Sequence, residues 1–478
     1  MNIVGRRQEL VLIEEILTSK EPELVALWGR RRIGKTFLLK YGRGAIKNYY
    51  FEVTGQKDAL QKVQLAHFNN IISEVFYSGQ RIILPRNWNE AFDSLKKAIN
   101  VIPENNIPVT LFFDEAAWLD SRRSGFLNAL EHFWNTWASN TPRVKLFICS
   151  STSSWIVGKI LKGKGGWHRR VTRRIHLQPF NLSETKEYLQ SRKINLSDAD
   201  IINLYMILGG TAAYLKQVKR GLSLTAIVND LFFTQSAFLK EEFDELFYSL
   251  FNSAEEYIKI VKALSLTRTG FTKKEIRAKT KIQSGGHFSN YISNLEQSDF
   301  IESYTPFGKR IKKYRLKDFY SLFYLTWIKS RKQSHVNSWQ IIQESHAYKS
   351  WAGLSFETLC WNHIKNILAN VGLANSNFNV SKFEFIAKDP NKESAQIDLL
   401  VDVNGAGVYI LELKHHNKEF IMDSADRENL LKKRRVLSTQ IKQNRSIFIL
   451  LLCSAGVSKN ENLEQVVDKV ISSSVLFD

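Results

Sequence analysis

Acidic residues are scarce in this chain. Its 478 residues set 47 Asp and Glu against 67 Lys and Arg, a formal net charge of +20. A surplus of that size favours polyanionic partners, nucleic acid first among them, although a basic surface kept for solubility fits the same number. Cysteine is nearly absent: Cys149, Cys360 and Cys453 stand far apart and form no CxxC pair. That excludes a disulfide-stapled scaffold and points to a reducing compartment. Long apolar runs are missing too. The longest, SIFILLLCSAGV from Ser446 to Val457, is too short to span a bilayer and reads as a buried strand. The first residues, MNIVGRRQELVLIEEIL, place acids where a secretory signal needs an apolar core. These absences lead to the expectation of a cytoplasmic protein with no membrane segment. The chain is too long for one ordinary core, so several domains are expected.

What is present begins at Leu24. An apolar strand from Leu24 to Trp28 runs into Gly29, Arg30, Arg31, Arg32, Ile33, Gly34, Lys35 and Thr36, followed by an apolar helix start. This is the GxxxxGK[ST] pattern in its strand–loop–helix setting. The glycines let backbone N–H groups wrap phosphates, Lys35 neutralises β/γ oxygens, and the Thr36 hydroxyl reaches Mg²⁺. Downstream, IPVTLFFDEAAWLD is a strand ending in Asp114 and Glu115. Asp114 is placed to hold the metal through water and Glu115 to orient an attacking water. A third strand, RVKLFICSSTSSW, ends in hydroxyls from Ser150 to Ser154, which serve either to sense the γ-phosphate or as turn residues. Arg169, Arg170, Arg173 and Arg174 precede a short strand and read either as a phosphate-facing finger or as a solvated basic edge. In NLSETKEYLQSR a helix is expected with Ser183 as its N-cap. Strands alternating with helices predict a mainly parallel sheet covered on both faces.

The segments IVGRRQEL, WGRRRIGKT, LFFDEAAWL and YMILGGTAAYL resemble the archaeal-type P-loop ATPases of the AAA+/STAND group, over roughly Asn2 to Asp244. The resemblance implies ATP and Mg²⁺ as ligands, a helical lid, and an oligomer or protein partner engaged through the ATPase domain. One departure shows: relatives carry proline after the Gly-Gly pair, whereas Gly209-Gly210 leads here into Thr211-Ala212-Ala213.

Residues 252–316 change texture. Three short amphipathic helices and a hairpin around Pro306 and Gly308 read as a winged helix, used either for DNA contact or for docking. Its basic residues Lys273, Lys274, Arg277, Lys309, Arg310, Lys312, Lys313 and Arg315 are the DNA-binding candidates. An aromatic-rich helical stretch follows over 317–350 and reads as packing surface.

The last region opens on the helix WAGLSFETLCWNHIKNIL with Glu357, then KFEFIA, then QIDLLVDVNGAGVYILELK with Asp398, Glu412 and Lys414. Glu412 and Lys414, two apart on a strand, share a face, and the hairpin turn brings Asp398 back toward them. Two carboxylates so placed hold Mg²⁺ while the lysine orients water. The segment resembles the PD-(D/E)XK nuclease fold, which implies Glu357, Asp398, Glu412 as metal ligands and Asp398, Glu412, Lys414 as the cleavage centre. It adds Gln440 on the next helix. There Lys432, Lys433, Arg434 and Arg435 suit a DNA backbone. Relatives tend to carry Glu where Gln396 stands.

The expected architecture is therefore a multidomain α/β chain: P-loop ATPase core (1–180), helical lid (181–250), winged helix (251–318), helical connector (319–350) and nuclease-like α/β domain (351–478). The expected activity is ATP hydrolysis coupled to DNA binding and Mg²⁺-dependent cleavage. The competing reading is a nucleotide switch or scaffold whose last domain only binds DNA or protein.

Overall fold

Five short strands build the first sheet: β1 (Glu23–Trp28), β2 (Tyr49–Thr54), β3 (Val109–Asp114), β4 (Val144–Ser150) and β5 (Arg173–His176). They lie in the order β2-β3-β4-β1-β5, every pair parallel. The central strands β3 and β4 are buried along their whole length. That follows from helices covering both faces, which is why these strands read as continuous apolar runs rather than alternating ones. Alternate residues supply two cores, with Leu24, Ala26 and Phe113 on one side and Val25, Leu27, Phe112 and Phe147 on the other. Packed edge-on around Phe68 are Phe51, Trp88 and Phe92.

The computed structural model describes all residues except 1–2, 45, 104–106, 164–166, 168, 268, 284, 330–337, 390, 392 and 442–444. It divides into two compact units, Met1–Pro179 with Ser249–Asn252, and Phe180–Tyr248 with Ser253–Asp478. The stretches expected as lid, winged helix, connector and carboxyl-terminal domain fall in the second, apart from Ser249–Asn252. Part of the expected connector, residues 330–337, lies outside the described residues.

The second unit opens on helix Leu182–Ser191. Its N-cap is Asn181, not Ser183: the Asn181 side chain accepts from the Glu184 amide while Glu184 caps Asn181 in return. A carboxamide one turn before the glutamate forms a complete capping box, so the helix starts earlier than a serine cap would put it. Helix Asp198–Leu208 ends at Gly209, whose φ of 62° is left-handed. A Cβ on Gly210 would stand 1.7 Å from the Phe180 carbonyl oxygen, while Phe180 N–H donates to the Gly210 carbonyl at 2.8 Å. The glycine pair is thus fixed by backbone packing against Phe180, whatever residue follows it.

Next come helices Ala254–Ser265, Lys273–Thr280 and Gly286–Gln297, then an antiparallel hairpin of β6 (Ile301–Tyr304) and β7 (Lys313–Leu316), with Phe271 bridging to Tyr314. Ser284 lies outside the described residues. The aromatic stretch packs inward, with Phe323 against both Trp339 and Trp351. After helix His346–Asn362 the chain forms β8 (Phe378–Phe385), β9 (Ala395–Val403) and β10 (Gly407–Lys414) as an antiparallel meander. Helix Ser424–Ser438 then crosses over to β11 (Ile447–Cys453), parallel to β10, and β12 (Lys469–Ser472) completes the order β12-β11-β10-β9-β8.

Gly210→Ala is expected to lower stability by roughly 1–3 kcal/mol, because backbone and not a flexible side chain must move. Chemical denaturation checks this, and an unchanged midpoint would contradict the packing described.

Candidate functional site

Parallel pairing brings the ends of β1, β3 and β4 to one edge, where the loop Gly29–Thr36 meets Asp114, Glu115 and Ser151. Lys35 is 5% exposed, and its ammonium donates to the carbonyls of Gly29 and Arg30, each at 3.0 Å, and to the Ser151 hydroxyl at 2.8 Å. Thr36 donates through Oγ1 to Asp114 Oδ2 at 2.7 Å. The other Asp114 oxygen accepts from the Glu115 amide at 3.0 Å. Glu115 sits at φ 45° and accepts from Ser151 twice, from its amide at 3.0 Å and from its hydroxyl. Arg30 is buried and Arg31, Arg32 and Thr36 are half-buried, while Ile33 is in the core.

Three residues here have roles that sequence reasoning missed or left unassigned. Ser151 is the member of the hydroxyl cluster that reaches both Lys35 and Glu115. Gly55, just past β2, accommodates the left-handed Glu115: a Cβ there would meet the Glu115 carbonyl oxygen at 2.5 Å. Arg6, from the IVGRRQEL box, is buried and donates to the Ile33 carbonyl at 3.3 Å, bracing the loop. A hydroxyl and a carboxylate, both oxygen donors at hydrogen-bond distance, fit a hard cation. Thr36 and Asp114 are the residues that would hold Mg²⁺, whose charge would offset that of the phosphates. Arg173 and Arg174 lie within β5 rather than before it, and Arg173 faces Glu23 at 3.7 Å.

In the second unit the expected cleavage residues form two ion-paired groups. Lys382 of β8 stands 3.4 Å from Glu357 and 3.8 Å from Asp398. Separately, Glu412 is held by Lys433 at 2.7 Å and by Lys414 at 3.4 Å, and Lys414 also reaches Asp426 at 3.0 Å. The β9–β10 ladder runs only to Leu411↔Leu399, stopping short of Glu412 and Asp398. Among the described residues no group of three or more His, Cys, Asp or Glu side chains is disposed to hold a metal ion. Glu357 and Asp398 thus share Lys382, while Glu412 faces Lys414 and Lys433.

Lys433, expected on a DNA-facing surface, is 8% exposed and belongs to the Glu412 pair. Its neighbours Arg434 and Arg435 are paired with Asp468 and Glu393, leaving Lys432 half-buried. Gln440 lies beyond the helix, which ends at Ser438, and donates to Thr439 Oγ1. Lys273, Lys274, Arg277, Lys309, Arg310 and Lys312 are exposed, and Lys313 is half-buried. Arg315 is not part of that surface: it pairs with Glu302 at 2.6 Å and lies over the Trp361 ring at 4.1 Å. The hairpin also seats against β8, where Phe307 N–H donates to the Lys382 carbonyl at 3.0 Å.

Residues 3–218 match a family model described as an ATPase domain predominantly from Archaea. Those residues carry a P-loop ATPase domain. The uncharacterized protein MJECL04 of Methanocaldococcus jannaschii is 26% identical over 360 residues, 74% of this chain and 75% of that protein. The Walker-type ATPase PABY2304 of Pyrococcus abyssi superposes with a TM-score of 0.50 at 18% identity, covering 68% of this chain and 96% of its own. The ORC2 protein of Aeropyrum pernix, solved as ADPNP–ADP complexes, gives 0.44 at 14% identity, over 68% and 93% of the two chains. The ATPase domain so matched extends past Pro179 into the helices that open the second unit. No helix among the described residues is long and apolar enough to cross a membrane.

Burial, with Asp398 nearby, pushes the Glu357 carboxyl up to about 7 from its ordinary 4.5. A folded-state value above the unfolded one means the folded chain binds that proton more tightly. Its contribution to stability is full below about pH 4.5 and is lost as pH rises through 7. Glu357→Gln is expected to remove that decline, gaining on the order of 1–3 kcal/mol over the unsubstituted chain at pH 8 relative to pH 4. Denaturation curves at both pH values test it, and parallel pH profiles would contradict it. Lys433→Met, which takes the nearer of two cations from Glu412, is expected to cost roughly 1–3 kcal/mol, against under about 0.5 for Lys432→Met.

Proposed function

We propose that this protein binds and hydrolyses MgATP and couples its nucleotide state to DNA held by the second unit. The observation that carries the first half is the convergence of Lys35, Thr36, Asp114 and Glu115 at one sheet edge. In this reading the loop amides and Lys35 take the phosphates, Thr36 and Asp114 hold the metal, and Glu115 orients the attacking water. An oligomer or protein partner formed through the ATPase domain belongs to the same reading.

The DNA half is supported by the exposed bases on helix Lys273–Thr280 and on the loop between β6 and β7. Helices and hairpin follow one another as in a winged helix, and the net charge of +20 favours phosphate. The carboxyl-terminal sheet follows the helix–meander–helix–strand order that resembles PD-(D/E)XK nucleases. Its acids, however, are neutralised by Lys382, Lys414 and Lys433, which favours a domain that binds DNA or protein without cutting. Cleavage through Asp398, Glu412 and Lys414 is the outcome that would replace this half of the reading.

Purified protein is expected to hydrolyse ATP, with Lys35→Ala slowing it by roughly 100-fold or more, since transition-state charge loses its nearest cation. A Lys35→Ala rate equal to the original sinks the ATPase assignment. Lys309→Ala with Arg310→Ala is expected to reduce the slope of log affinity against log salt by about 2, one phosphate contact each. An unchanged slope removes the hairpin from the DNA surface. Incubation of single-stranded and duplex DNA with Mg²⁺ or Mn²⁺ should leave it intact. Cleavage that Lys414→Ala abolishes would establish the nuclease instead.

A further inference from the structure

The direction of every proton around Ser151 is fixed by the chemistry of its neighbours. An ammonium has three donors and no acceptor, and the Lys35 donors go to Gly29 O, Arg30 O and Ser151 Oγ. The Ser151 hydroxyl therefore accepts from Lys35, and its single proton is committed to Glu115 Oε1. The second Glu115 oxygen is taken by the Ser151 amide at 3.0 Å. One residue, 4% exposed, thus holds the phosphate-binding cation with one atom and both oxygens of the water-orienting carboxylate with two.

We propose that Ser151 is a positioning residue that latches Lys35 to Glu115, so that phosphate capture by Lys35 weakens one of the two hydrogen bonds restraining Glu115. The inference rests on the ATPase reading above. A phosphate oxygen reaching Lys35 must displace the acceptors it now uses. Once Lys35 leaves Ser151, the hydroxyl loses the ammonium that polarises its proton, and its bond to Glu115 weakens. Glu115 then keeps the Ser151 amide bond and a weakened hydroxyl bond, while its own backbone amide stays on Asp114. Occupation of the phosphate site and freedom of the carboxylate are coupled through a single hydroxyl, without movement of the sheet.

The latch competes with phosphate, which gives it a signature opposite to simple damage. ADP, which bears the β-phosphate Lys35 would bind and lacks a γ-phosphate within reach of Ser151, is the probe, titrated calorimetrically with Mg²⁺. Ser151→Ala is expected to bind ADP roughly 3- to 10-fold more tightly, the worth of one hydrogen bond no longer to be broken. Ser151→Thr, which keeps the hydroxyl, is expected to stay within about twofold of the original chain, and Ser151→Cys, a weak donor and acceptor, to follow alanine. In a double-mutant cycle with Glu115→Ala the two effects on ADP affinity are expected to couple by at least about threefold. Unchanged or weaker ADP binding by both Ser151→Ala and Ser151→Cys overturns the latch, as does additivity in the cycle. Loss of ADP binding in Lys35→Ala tests the parent reading separately, so a sound nucleotide site with an indifferent Ser151 sinks only this inference.

Discussion

Parallel pairing of β3, β4 and β1 is the constraint from which the nucleotide site follows. Parallel strands present all their carboxyl ends on one edge, and in open α/β sheets that edge is where ligands bind. Trp28, Asp114 and Ser150 each close a strand there, and their register pairs Trp28 with Ser150. The next residues along each chain are Gly29, Glu115 and Ser151. Segments 36 to 116 residues apart in sequence thereby bring a cation, two carboxylates and hydroxyls within hydrogen-bond distance. The Gly29–Gly34 loop then carries Lys35 and Thr36, at the start of the next helix, onto that edge.

The carboxyl-terminal sheet meets a related problem with a different solution. A carboxylate in a partly buried setting is costly unless it is paired. In the ATPase domain Asp114 is met by a hydroxyl and an amide, both of which leave room for a cation's charge. In the second unit Glu412 is met by two lysines and Glu357 shares Lys382 with Asp398. The hairpin's Phe307 contact with Lys382 ties the basic module to the same strand, so the two parts of that unit are joined at the residue that neutralises both acids.

Much of this was legible because it is local. The glycine loop after an apolar strand, the acids ending β3 and the hairpin turn at Asn404-Gly405 are patterns a few residues wide, set by backbone chemistry. What sequence could not show is which lysine answers which acid. Lys382 sits in the middle of an ordinary-looking strand, and Lys433 in a run of four basic residues whose members look equivalent. Only packing distinguishes the one that turns inward. The N-cap misplacement at Ser183 is a smaller case of the same limit: two adjacent capping types compete, and the reciprocal bond with Glu184 decides for Asn181. Gly55 carried no signal at all, since its demand comes from Glu115 on a neighbouring strand.

The same reasoning changes how the charge surplus should be read. Arg6, Arg30, Lys35, Lys145, Arg315, Lys382 and Lys433 are all buried. Arg6, Lys35 and Lys145 bind backbone carbonyls, while Arg315, Lys382 and Lys433 face individual acids. Apart from Lys35 at the phosphate loop, cations committed inside the fold contribute to net charge without offering a donor to a nucleic-acid backbone. The surface able to follow a nucleic-acid backbone is accordingly narrower than +20 suggests. It reduces to side chains that are exposed and adjacent in the fold, above all those on helix Lys273–Thr280 and on the hairpin loop from Lys309 to Lys312. A basic composition proposes a polyanion, but the pairing of each cation decides where one can lie.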